Sequence, residues 1–188
     1  MPTTSSDETL RAALKRVAVI LKDADIPFAL GGGYAAWARG GPEPEHDVDF
    51  MLPEEDIERA LHRLTQAGLR AEDPPEDWLV KVFDGEEMVD LIHHPTGRPV
   101  TRAMIEQADE IDVDSVVMPV LSATEILVTK LLALTEHYCD YAKLLPAARA
   151  LREQVDWSAV RRETADSAFA EAFLVLADRL GITGAAGA

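Results

Sequence analysis

The tightest constraint on this chain is a pair of aspartates one residue apart, Asp47-Val48-Asp49, that follows the glycine run Gly31-Gly32-Gly33. The stretch reads as strand, glycine turn, short helix, loop and a second strand that carries both acids. Residues i and i+2 of a strand point to the same face, so Asp47 and Asp49 project together with Cα atoms roughly 7 Å apart. The strand ends in Phe50, Met51 and Leu52, apolar on one side and near-continuous at its end. Two carboxylates on such a strand repel each other unless something neutralises them. One divalent cation, or two, is the chemistry that suits them. The glycines have a complementary use, because a turn without β-carbons lets the backbone approach a phosphate and offers it N–H groups.

Charge narrows the function classes. The 188 residues carry a net charge of −16. That balance argues against broad, non-specific nucleic-acid binding, which needs a basic field, and leaves room for a local basic site. Part of the acidic excess lies in the loops 43–49 and 72–77. A single cysteine, Cys139, excludes an internal disulfide and suits a reducing cytoplasm. The N-terminus is polar and lacks the pattern of a signal peptide, and no apolar run reaches the ~20 residues of a membrane span. A cytoplasmic protein with no membrane partner is expected.

The apolar spacing gives the organisation. Residues 1–6 read as disordered, and Asp7 as the cap of a helix to about Asp23 with Leu10, Leu14, Val17, Ile20 and Leu21 on its buried stripe. A strand over 26–30 ends at the glycines, and Tyr34 to Arg39 is a short helix. After the aspartate strand, Pro53 and three acids open a helix closed by Gly68. Trp78 to Phe83 and Met88 to Ile92 read as a hairpin around Asp84-Gly85. A short helix over 101–108 precedes strands at 111–113 and 116–121, where Pro119 marks an edge or a strand end. Ser122-Ala123-Thr124-Glu125 is a capping box that starts a helix to at least Glu136. Further helices are expected at 138–152, 157–164 and 167–180. The fold class is therefore α/β (α+β): a mixed α/β half over 1–121, a helical part over 122–181 and a flexible tail over 182–188.

A third acid completes the pattern. Asp90 sits between Val89 and Leu91 on the second hairpin strand. If that strand lies beside the Asp47/Asp49 strand, three carboxylates converge, as two-metal phosphoryl or nucleotidyl transfer requires. The ordered set Gly32-Gly33, Asp47-Val48-Asp49-Phe50 and Val89-Asp90-Leu91 resembles the DNA polymerase β-type nucleotidyltransferase superfamily over about residues 26–95. The resemblance implies a nucleotidyltransferase-type core of a mixed sheet with flanking helices, Mg²⁺, with two ions, and transfer of an NMP from an NTP such as ATP to an acceptor hydroxyl. It further implies that Asp47 and Asp49 hold both metals, that Asp90 ligates the catalytic metal and assists deprotonation of the acceptor, and that Gly32 and Gly33 contact the phosphates.

The segment Ser122 to Leu131 is similar to the one following the core in the abortive-infection type IV toxin nucleotidyltransferases. That similarity implies that Lys130 and Asp140 join the nucleotide site, that tRNA is an acceptor, and that a cognate antitoxin is a partner. Lys130 stands out on physical grounds as well. It shares the apolar stripe of Ile126 and Leu134, so it must reach water or pair with an anion, a triphosphate or an acid of the protein. The chain departs from the toxin pattern at Glu43 and Glu45, where toxins carry arginine and threonine or serine, and at His137, where they often carry an acid. Glu45-His46-Asp47-Val48-Asp49 is instead similar to antibiotic nucleotidyltransferases. An acidic mouth suits a cationic, aminoglycoside-like acceptor better than tRNA. A non-catalytic nucleotide-binding relative that has kept the fold is the rival class.

Other residues have plainer expectations. His93 and His94 end the Asp90 strand, and strand alternation would let at most one face the site. Trp37, Trp78 and Trp157 are expected in packing, Cys139 as a buried thiol, and Ser122 as a helix cap rather than a nucleophile.

Overall fold

The computed structural model describes residues 4–44, 47–72 and 74–184. Glu45 and His46 therefore lie outside the described residues. A seven-stranded mixed sheet forms the centre, built from β1 (Ala29–Leu30), β2 (Val48–Met51), β3 (Arg70–Glu72), β4 (Leu79–Asp84), β5 (Glu87–Ile92), β6 (Asp109–Val113) and β7 (Val116–Val120). The strand order is β3-β4-β5-β2-β1-β7-β6. Hairpins pair antiparallel, while β2 with β5 and β1 with β7 are parallel. Parallel neighbours need a long crossover. Between β2 and β5 that crossover contains α3 (Glu54–Gln66) and the strands β3 and β4.

Among the described residues the remaining helices are α1 (Thr4–Asp23), α2 (Gly32–Ala38), α4 (Arg102–Glu106), α5 (Ala123–Leu132), α6 (Tyr141–Leu151), α7 (Trp157–Glu163) and α8 (Ala168–Arg179). Helix α1 packs on α3, β5 and β7 through Leu10, Leu14, Val17 and Leu21. Helix α2 packs on α5, and α6, α7 and α8 gather round α5. The buried apolar residues form one cluster running from Leu10 to Ile182. Ile182, expected at the start of a flexible tail, is 1% exposed and donates its amide to Ala177 O at 2.9 Å. No described helix is long and apolar enough to cross a membrane.

Several boundaries differ from the sequence expectation. Helix α1 opens at Thr4, ahead of the Asp7 cap. The first strand is only two residues long, because Ile26 turns inward beside the α1 C-terminus. Strand β3 is exposed along its length and carries no apolar alternation to announce it. Pro119 lies in a strand flanked on both sides; it is tolerated because β1 reaches β7 only at Val120. Helix α5 stops at Leu132, four residues early, and Thr135 and Tyr138 then bond each other reciprocally across a tight turn. The next helix starts at Tyr141, capped by the Asp140 carboxylate, and continues through Pro146.

Candidate active site

The parallel pairing of β2 with β5 sets Asp49 directly opposite Asp90. In-register neighbours share a face and lie about 4.8 Å apart between strands. The other face of the same strands, Val48, Phe50, Val89 and Leu91, is buried to within 1%. The acids therefore stand on the one side of this strand pair that the core leaves open. Asp47 immediately precedes β2 and is exposed.

Lys81 completes the row. It opposes Asp90 across the β4–β5 hairpin and pairs with its carboxylate at 3.1 Å. Sequence reasoning passed over this residue, although a signal was present. Counting outward from the hairpin turn pairs Asp84 with Glu87 and hence Lys81 with Asp90. A lysine inside Leu79-Val80-Lys81-Val82 also has to face something polar.

Gly32 is fitted to Asp49. Its φ of +57° is left-handed, and a β-carbon there would lie 1.7 Å from Asp49 Oδ2. Gly31 N donates to Asp49 O at 2.8 Å. The glycine turn thus packs its backbone directly against the Asp49 carboxylate. Gly33 lies against Pro44, where a β-carbon would come within 3.0 Å.

Two clefts meet at this point. The larger, about 890 Å³, is bounded by Gly32, Asp49, Glu54, Asp77, Trp78 and Lys130, among others. The smaller, about 570 Å³, is bounded by Gly33, Asp47, Asp49, Lys130, Tyr138 and Lys143, among others. Asp49 and Lys130 belong to both. Trp78 is 39% exposed on the larger cleft and is not the packing residue the sequence suggested. Trp37 does pack, in edge contact with Tyr34 and under the Arg11 guanidinium. Glu43, expected to add charge at the mouth, pairs with Arg11. Asp140 lines neither cleft, because its carboxylate accepts from the amides of Ala142 and Lys143. Cys139 is exposed on the turn before α6, not buried.

The electrostatics follow from this crowding. Burial pushes the Asp49 carboxyl up to about 6, Asp90 and Asp47 add to the rise, and Lys130 and Lys81 oppose it. Asp90 is also raised, chiefly by burial, against the pull of Lys81. Three carboxylates, Asp47, Asp49 and Asp90, stand against two lysines, Lys81 and Lys130, and that surplus of negative charge fits a bound cation. With Asp90 turned to Lys81, the three carboxylates gather less tightly than Glu54, His93 and His94, whose ligand atoms lie within 4.8 Å of one another. His93 and His94 come together because β5 ends at Ile92, so strand alternation no longer separates them.

No curated protein matches the sequence. Among solved structures, the fold is similar to ANT(2")-Ia in complex with adenylyl-2"-tobramycin, at 18% identity and a TM-score of 0.56, covering 95% of this chain and 99% of that one. It is similar to JHP933 from Helicobacter pylori, at 15% identity and a TM-score of 0.52, covering 98% and 86%. It is also similar to the lincosamide antibiotic adenylyltransferase LnuA with lincomycin bound, at 13% identity and a TM-score of 0.50, covering 72% and 92%. The family model described as uncharacterised nucleotidyltransferase, NTP_transf_5, matches residues 3–188, and the chain belongs to that family of transferases.

Proposed function

We propose that the protein transfers a nucleoside monophosphate from an NTP to a hydroxyl of a small cationic acceptor, with the nucleotide in the smaller cleft and the acceptor in the larger. The observation that carries this reading is the in-register Asp49–Asp90 pair, with Asp47 beside it, at the junction of the two clefts. Asp47, Asp49 and Asp90 would hold the divalent metal, Mg²⁺ in two ions by the superfamily resemblance. Bound there, such ions neutralise phosphate charge and favour the acceptor alkoxide.

The chain's own residues supply the rest. Lys130 and Lys143 offer cations to a triphosphate in the smaller cleft, and Tyr138, 65% exposed there, offers a ring to the base. Gly32 and Gly33 leave backbone uncovered on either side of Asp49. Asp90 is placed to take the acceptor hydroxyl's proton, and the Lys81 pair holds it as a carboxylate until then. Asp140 serves the site indirectly, by capping the helix that carries Lys143.

The acceptor argument is electrostatic. Glu54 and Asp77 line the larger cleft, Trp78 gives it an apolar wall, and the whole chain carries −16. A polyanion such as tRNA would meet a repulsive field there, and a cationic sugar would not. The toxin reading, with tRNA as acceptor and an antitoxin as partner, is supported only by the sequence similarity around Lys130. Incubation with Mg²⁺ and each labelled NTP, offering total tRNA or a panel of aminoglycosides, separates the two. Label is expected on a cationic small molecule, and Asp49→Asn should reduce it at least about 10²-fold. Label on tRNA alone would reject the small-molecule acceptor.

A further inference from the structure

The structure points to a second metal site in this molecule, separate from the aspartates: we propose that Glu54, His93 and His94 bind one Zn²⁺-class ion at the rim of the larger cleft. The two imidazole Nδ1 atoms lie 3.0 Å apart, and His94 Nδ1 is 3.7 Å from Glu54 Oε2. A tetrahedral zinc with bonds of 2.0–2.2 Å sets its ligands about 3.3 Å from each other. These two separations bracket that value and the ligand atoms of all three residues lie within 4.8 Å of one another, so a side-chain adjustment of about 1 Å lets one ion reach all three.

The scaffold that gathers these ligands is rigid. The amides of His93 and His94 both donate to Trp78 O, at 3.0 and 3.2 Å, and Val100 N donates to His93 O at 2.8 Å. Leu52 N bonds Ile92 O at 3.0 Å, which ties the strand end leading into Glu54 to the strand end leading into the histidines. His93 is 8% exposed and its ring meets that of His94 edge to face, so the first ligand is held by packing. Glu54, at the start of α3, is exposed and moves onto the ion with little cost.

Ligand type and position distinguish this site from the aspartates. Two imidazoles and one carboxylate select zinc, cobalt, nickel or copper over Mg²⁺, which prefers an all-oxygen shell. The site sits three residues along β5 from Asp90, roughly 10 Å away at strand rise. Three protein ligands leave one tetrahedral position open. Glu54 and His94 both line the larger cleft, so that position faces it and is filled by water or by a donor atom of the molecule bound there. The plainer account of these contacts is a neutral histidine pair sharing one proton, with Glu54 solvated nearby.

Zn²⁺ titration of the 188-residue chain tests the two accounts. The protein is made without a polyhistidine tag, stripped with chelator and held in excess Mg²⁺, and binding is followed by calorimetry and by metal analysis after gel filtration. One Zn²⁺ per chain is expected to resist the Mg²⁺, and Co²⁺ in its place should give the intense visible bands of a tetrahedral N/O site. His94→Ala should weaken Zn²⁺ binding more than about tenfold, and Glu54→Gln, at an exposed position that folding tolerates, should weaken it in the same direction. Asp49→Asn should leave it intact. Less than one bound Zn²⁺ per chain, or binding lost in Asp49→Asn and retained in His94→Ala, would overturn the proposal without touching the transferase reading.

Discussion

Asp49 is the residue on which the site turns, and its protonation has a measurable consequence. Burial and two neighbouring acids raise its affinity for a proton in the native state to about 6, against 3.8 for an ordinary aspartate. The native chain therefore holds this proton more tightly than the unfolded chain does. The stabilisation is complete below about pH 4 and is lost as pH rises through 6. Replacing the charge with Asp49→Asn should stabilise the metal-free protein at pH 7.5 relative to pH 4.5. A shift of this size corresponds to an upper bound of about 3 kcal/mol. Urea unfolding of both proteins at the two pH values, in chelator, measures the difference. Equal effects at both pH values would mean that the carboxylate is not desolvated. Lys81 belongs to the same scale: its pairing with Asp90 is the local compensation that lets a second acid sit beside the first.

At the scale of elements, the β1–α2 turn and strand β2 act as one unit. Gly32 adopts a left-handed φ of +57° and leaves room for Asp49 where a β-carbon would lie 1.7 Å from the carboxylate. Gly32→Ala should therefore destabilise by about 1–2 kcal/mol from the backbone alone, with a further cost from displacing Asp49. Transfer activity should fall more steeply than stability, since the displaced group is the shared carboxylate of both clefts. Activity retained alongside an unchanged melting temperature would contradict that packing. The helix starts of the C-terminal part behave more simply. Ser122, Asp140, Asp156 and Ser167 each cap a helix by accepting from amides two or three residues on. Asp140 caps the helix that carries Lys143, at a position that the similarity to toxins implies is part of the nucleotide site.

At the scale of the whole molecule, Arg39 joins parts that are far apart in sequence. Its side chain is 7% exposed, and its guanidinium donates to Leu121 O at 2.6 Å, Val120 O at 3.0 Å and Asp109 Oδ2 at 2.5 Å. Its own carbonyl accepts from Gln154 Nε2 at 2.9 Å. Arg39→Ala strands two carbonyls and removes a buried stem, so a loss of about 2–4 kcal/mol is expected in equilibrium unfolding. A change below about 0.5 kcal/mol would show that the α2 end is not a hub. Nothing local in Ala36-Trp37-Ala38-Arg39 announces that role. The same division runs through the protein. What the residues determine by themselves is what depends on near neighbours: the hairpin at Gly85, the cap at Ser122 and the apolar stripe of α1. These follow from fixed backbone periods and from hydrogen bonds spanning a few residues. Only the tertiary structure decided that β2 pairs parallel with β5 across a crossover of about 35 residues, 52–86. It likewise decided that β5 stops where His93 and His94 can meet, that α5 ends at Leu132, and that Trp78 faces a cleft. Those outcomes depend on which distant surfaces are buried together. One residue of shift in the pairing of β2 with β5 would have turned Asp90 away from Asp49, and the buried row of Val48, Phe50, Val89 and Leu91 is what forbids that shift.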